Sequence, residues 1–308
     1  MTKTSTAPYW FPSTVLEPGP FELHPIYIYH LPKTGSTTVF SSLRAAFDAL
    51  FKILKHGVPD FTPPLIERLD DPKLLEVERF NMQCALIASH HPFGFHTKFA
   101  QQFKLITILR DPYRRVLSSY TYECMRANVP PSAPDFETMF RDEENRNVMV
   151  KQLSGLARPQ SATPEAVQKA IAHLNEQFFM FGTTRDIATI ISTILKINKM
   201  PNVICDHLNN TAEKYLLDGR GFEDEIRNLN QLDQELFAFV DANPRVDIDV
   251  GEKHGAAPPH QHTVLIKQIE NATRGAFSAT QIVETKTVID AVKEGRYPKA
   301  PFDKLFKM

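Results

Sequence analysis

The sequence predicts an α/β fold, a parallel sheet with helices on both faces in three layers. Three observations carry this. Short apolar runs rich in β-branched and aromatic residues recur at 26–29, 84–89, 104–109 and 178–182. They alternate with segments whose apolar residues follow helical spacing, the pattern of strands joined by crossover helices. At 308 residues the chain is long enough to bury a sizeable core in one large domain or two smaller ones.

The first run leads into the most informative stretch. Ile26 to Thr38 reads as strand, tight loop and helix start, and Val39, Phe40, Leu43, Phe47 and Leu50 continue as the apolar face of that helix. The loop brings Lys33, Gly35 and the hydroxyl residues Thr34, Ser36, Thr37 and Thr38 to a helix N-terminus. Unpaired backbone N–H groups and the positive end of the helix dipole favour a phosphate or sulfate there. The nucleotide-triphosphate motif G-x-x-x-x-G-K-[ST] has its lysine directly after the second glycine. Here Lys33 precedes Gly35, the first glycine is missing, and Pro32 stiffens the chain. The predicted architecture is thus P-loop-like without that motif. Taken alone, the loop also fits a Ser/Thr cap on an ordinary helix.

The run at 104–109 ends in Arg110, followed by Asp111 as a helix N-cap and Pro112 in the first turn. Arg110 therefore stands at the carboxyl end of a strand, where open α/β sheets bind ligands. Arg115 and Ser118 share one face of the following helix. An arginine fork with a hydroxyl can hold a second phosphate. The plainer alternative is an Arg110 that pairs locally with Asp111.

Elsewhere, residues 1–24 read as an extended arm. Residues 56–80, with Pro59, Pro63, Pro64 and Pro72, read as an insertion holding one short helix around 71–80. Breakers between 127 and 135 predict a surface loop, Thr163-Pro164-Glu165 opens a helix, and 244–263 reads as a loop or lid. Formal net charge is −1, so no global field draws nucleic acid or an acidic membrane. Cys84, Cys124 and Cys205 form no close pair, which argues against a disulfide framework and a metal site; Cys84 reads as core. No run reaches the roughly 18 apolar residues of a membrane span, and the N-terminus lacks a signal pattern.

The two anion loops together resemble the sulfotransferases that use 3′-phosphoadenosine 5′-phosphosulfate (PAPS). Pro32 to Thr38 is similar to that superfamily's 5′-phosphosulfate loop, and Arg110 with Ser118 is similar to its 3′-phosphate site. The form Leu-Arg-Asp-Pro-x-x-Arg-x-x-Ser, from Leu109 to Ser118, resembles the carbohydrate-type branch, which includes the heparan and chondroitin sulfotransferases and bacterial relatives. Residues 85–94, 147–155, 178–182 and 228–237 resemble further segments of that branch, so the likeness runs from about 26 to 243. Ser89 departs from it where the branch often has glycine before the histidine.

The resemblance implies a single sulfotransferase domain over 25–308 with a helical C-terminal part. It implies in-line transfer of a sulfuryl group from PAPS, as co-substrate and without a metal, to an acceptor hydroxyl, on a carbohydrate such as a glycan or glycolipid. Lys33 would stabilise the leaving oxygen. Lys33, Thr34, Gly35, Ser36, Thr37 and Thr38 would hold the 5′ end, and Arg110 and Ser118 the 3′-phosphate. His90 would take the acceptor proton, with His91 as alternative and Glu123 as a third candidate. The tract around Asn209–Thr211 would close over the nucleotide, and Arg114, Arg126, Lys151 and Arg158 are candidates for holding an acidic acceptor. A soluble cytoplasmic enzyme is expected, since Golgi members of the branch carry a membrane anchor. The alternatives are a P-loop-type kinase acting on a small hydroxyl substrate and a non-catalytic nucleotide-binding protein.

Overall fold

The computed structural model describes residues 23–57, 62–69, 80–198, 200, 202–205, 217–246, 262–268 and 277–284. Its centre is a five-stranded sheet of β1 (Ile26–Tyr29), β2 (Leu65–Leu69), β3 (Cys84–Ser89), β4 (Lys104–Leu109) and β5 (Phe178–Thr183). The order is β2-β3-β1-β4-β5, and all neighbours are parallel. A parallel sheet is covered on both faces, which is why its inner strands are apolar throughout instead of alternating. All of β1 and all of β3 are buried.

The pleat sorts these residues into two cores. Tyr27, Tyr29, Ile87 and Leu105 face α4 (Val148–Ser154), α5 (Pro164–Gln177) and α8 (Gln231–Ala242), through Leu153, Leu174 and Leu236. Ile26, Ile28, Leu86 and Ile106 face α1 (Ser36–Gly57) and α6 (Ile187–Ile197), through Leu43, Phe47 and Ile194. Helices thus cover both faces of the parallel sheet, as the sequence predicts. A third core joins α2 (Pro112–Ala127), α3 (Ala133–Arg141) and α7 (Glu223–Leu229), around Val116, Phe136, Phe140 and Ile226.

Registers align the carboxyl ends: Tyr29 pairs Ser89 on one side and Thr107 on the other. After β1 the chain turns to α1 on one face. After β3 it turns to Phe95 and Phe99 on the opposite face. Neighbouring strands whose connections leave to opposite faces open a crevice at their carboxyl ends.

Three readings change. The segment 56–80 is not a plain insertion, because Leu65–Leu69 is edge strand β2; the helix expected near 71–80 lies outside the described residues up to Phe80. The loop at 127–135 is shorter than expected. Ser132 caps α3 by accepting from Asp135 N, so Pro134 lies in the first helical turn, which suits it. The C-terminal part is helical over α7 and α8, but residues 262–268 and 277–284 are strands. β7 (His262–Gln268) and β8 (Phe277–Glu284) pair antiparallel, and β6 (Asn202–Cys205) joins β7 in parallel. The β-branched runs around Val264 and Ile282 favour strand.

The opening of α5 at Pro164 is as expected. Within 244–263, Arg245 bridges to Phe181 and 262–263 belong to β7; residues 247–261 lie outside the described residues, as do 1–22 of the arm. No helix among the described residues is long and apolar enough to cross a membrane.

Candidate functional site

Residues 30–35 make the turn from β1 into α1. Lys33 and Gly35 both have positive φ, 64° and 93°. For Lys33 that left-handed conformation costs about 1 kcal/mol or more. Gly35 is required twice over, because a Cβ there would lie 2.6 Å from the Ile187 side chain.

Thr34 Oγ1 donates to Leu31 O (3.0 Å), so the 3.0 Å contact between Thr34 and Ser36 has Ser36 as donor. Both side chains are buried and brace the loop from within. Thr37 Oγ1 lies 3.2 Å from His30 Nε2. The side chains of Thr37 and Thr38 are half-buried. Among the described residues, no acceptor meets the backbone N–H groups of residues 33–37. These are the orphan donors of a helix start.

Arg110 reaches this loop from the end of β4, its Nη1 donating to Lys33 O at 3.2 Å. Asp111 is engaged elsewhere. It accepts from Arg114 N (2.9 Å) and pairs with Arg227 (3.0 Å), so the local Arg110–Asp111 pair is not the arrangement formed. The Lys33 ammonium lies 4.0 Å from the centre of the Tyr122 ring. Burial, with Arg110 and Arg68 nearby, brings the Lys33 pKa down to about 8, and Glu123 works against that shift. Burial also lowers the pKa of Arg110, and Arg114 adds to it. Ser118 is half-buried on α2.

Arg115 does not join the anion site. It is 2% exposed, its Nη2 donates to Asn145 O (2.9 Å), and its Nε lies 3.9 Å from Asp233. Lys151 is equally internal, its ammonium bonding Glu143 O (2.6 Å) and Arg158 O (3.1 Å), so it offers nothing to an acceptor. Arg126 is paired with Glu123 at 2.6 Å. Asn209–Thr211 lies outside the described residues.

The histidines part company. His90 Nδ1 lies 2.5 Å from His30 O, and a carbonyl only accepts, so Nδ1 carries the proton. Arg68 Nη2 lies 3.4 Å from Nε2, and a guanidinium only donates, so Nε2 is the acceptor nitrogen. The His90 ring stacks on His30 with centroids 4.2 Å apart. His91 stacks instead on Phe95 at 4.0 Å, on the far side of the turn.

His30 is buried, and its pKa is driven well below the usual imidazole range by burial and then by His90, Arg68 and Lys33. Its Nδ1 has no hydrogen-bond partner among the described residues. Sequence reasoning missed His30 and Arg68. His30 looked like the tail of a strand, and Arg68 lay in the supposed insertion. The Leu65-Ile-Glu-Arg-Leu69 run does not alternate, so periodicity gave no clear signal for β2.

The site is thus a rim of donors at adjacent strand ends (Lys33, Arg110, Arg68 and a helix N-terminus) beside a neutral imidazole. Neither a comparison with models of protein families nor a search of curated proteins finds a match to this chain.

Proposed function

We propose that the protein is a P-loop-like sulfotransferase that moves a sulfuryl group from PAPS to an acceptor hydroxyl. The observation that carries the reading is the link between Lys33 and Arg110. It joins two cations from adjacent strand ends at a loop whose backbone donors meet no acceptor among the described residues. Such a surface suits a ligand with two separated anionic groups. The residues fit that ligand: N–H groups of the loop and the α1 dipole meet the 5′ end, and Arg110 with Ser118 meets the 3′-phosphate. The acceptor is a carbohydrate hydroxyl by the sequence resemblance alone.

The transfer breaks the bond from sulfur to the 5′-phosphate oxygen and forms one from sulfur to the acceptor oxygen. The acceptor proton goes to His90 Nε2, which the Nδ1–H bond to His30 O leaves as the basic nitrogen. The contact with Arg68 is long and on the exposed side, so an acceptor hydroxyl can replace it. Lys33 follows the charge that builds on the leaving oxygen. As in phosphoryl transfer, positioning and electrostatics supply the catalysis.

Calorimetry tests the reading, with adenosine 3′,5′-bisphosphate against 5′-AMP and ATP–Mg²⁺. Tight binding of the bisphosphate alone, weakened in Arg110→Ala, is expected. Preference for ATP–Mg²⁺ would reject the reading in favour of a kinase.

A further inference from the structure

Gln152 lies on α4, 6% exposed, beneath the turn that carries His90. Its Nε2 is 3.4 Å from His30 O, 3.5 Å from Ser89 O and 3.4 Å from His91 O. These carbonyls directly follow β1, end β3, and follow His90 on the turn between β3 and Phe93. Its own backbone carbonyl accepts from Phe93 N at 2.8 Å, on the far side of the same turn. Three carbonyl oxygens converging on one buried point repel one another unless a donor stands among them, and a side-chain amide brings two N–H groups. Two of the carbonyls have a further donor: Ser89 O takes His30 N at 2.9 Å, and His30 O takes His90 Nδ1. Gln152 Nε2 therefore offers long hydrogen bonds to the remaining lone pairs, its two N–H groups meeting two of the three carbonyls at a time. The close approach of α4 to this turn recurs at Gly155, where a Cβ would lie 3.2 Å from Phe93 O.

We infer that Gln152 is the positioning residue of the proton acceptor: by gathering the His30, Ser89 and His91 carbonyls, it holds His30 O where it locks His90 as the Nδ1–H tautomer. Which imidazole nitrogen is basic is set by the bond the other one makes. Here that bond runs to a backbone carbonyl whose own position depends on a side chain from another layer of the fold. The inference rests on His90 as the base, but its test does not require turnover.

The measurement is long-range ¹H–¹⁵N correlation NMR of the full chain with labelled histidine. In the wild type His90 is expected as Nδ1–H. Gln152→Met, which keeps volume but cannot donate, is expected to give mixed tautomers at His90 while adenosine 3′,5′-bisphosphate still binds within about twofold, since the anion loop is untouched. Transfer is expected to lose about tenfold in kcat with KM for PAPS unchanged, part of what a well-placed base contributes. An Nε2–H tautomer in the wild type, or an unchanged tautomer in Gln152→Met, would overturn the inference. Should the variant not fold, slow solvent exchange of the Gln152 side-chain amide protons in the wild type supports the inference and fast exchange overturns it. A Gln152-dependent tautomer in a protein that transfers no sulfuryl group supports the positioning and sinks only the sulfotransferase reading.

Discussion

Two regions of this molecule concentrate buried polar groups, and they differ in sign balance. Behind the sheet, Asp233 accepts from Met149 N (3.2 Å) and Val150 N (2.8 Å) and faces Arg115. Asn147 and Asn230 tie the same helices together. Lys151 likewise finds carbonyls and Glu143. In this brace donors meet acceptors within the protein. At the rim, Lys33, Arg110 and the N–H groups of residues 33–37 converge with few acceptors among the described residues, and the nearby Glu123 is itself paired with Arg126. Burial of polar residues does not by itself mark a site; a surplus of one sign does, because only a ligand of the opposite sign resolves it.

The sharpest way to break this comparison is to cut one member on each side. Lys33→Ala should lower kcat for sulfuryl transfer by about 10²–10³ while thermal unfolding stays unchanged. Asp233→Ala should do the reverse, losing about 3–5 kcal/mol of stability in denaturant titration because Arg115 is left buried and unpaired. Arg110→Ala comes next. Loss of a charged hydrogen-bonding partner of about 1.5–3 kcal/mol should weaken adenosine 3′,5′-bisphosphate by roughly 10–100-fold in calorimetry.

The pH profile is a subtler probe. The lowered pKa of Lys33 means that its ammonium is lost as pH rises through about 8, so the transfer rate should fall on an alkaline limb there. Glu123 favours the charged form, so Glu123→Gln should move that limb to lower pH; a limb that stays put would remove Lys33 from its assigned role. The smallest effect belongs far from the rim. Ser132→Ala, which removes the α3 cap, should cost about 1 kcal/mol with no change in ligand binding.

Much of the proposed nucleotide side was legible because it is local. Strand, loop and helix start follow one another from Ile26 to Thr38, and Arg110 ends its own strand before a capped Pro112. The acceptor side was not, because it is assembled from β2, the end of β1, the turn after β3 and α4, and pairing at such distances leaves no trace in spacing. Arg115 misled for a related reason. Helical spacing from Ser118 was right, but spacing cannot say which face of α2 meets Asp233. Gln152 had no signal at all, since a glutamine in a short apolar helix reads as an incidental polar residue. The strands at 262–268 and 277–284 were missed because polar interruptions around Lys267 and Gln281 blur their alternation.

The central place of β1 has a consequence for how the protein opens. Hydrogen-bonded on both sides, β1 is expected to exchange its amide protons only when the whole domain unfolds, whereas the loop it launches, whose N–H groups meet no acceptor among the described residues, is expected to exchange fast. β2, paired on one side only among the described residues, is expected to fray earlier than β1. Lys33 and Gly35 thus follow a strand held on both sides, while Arg68 lies on an edge strand, so amide exchange is expected at Arg68 before β1.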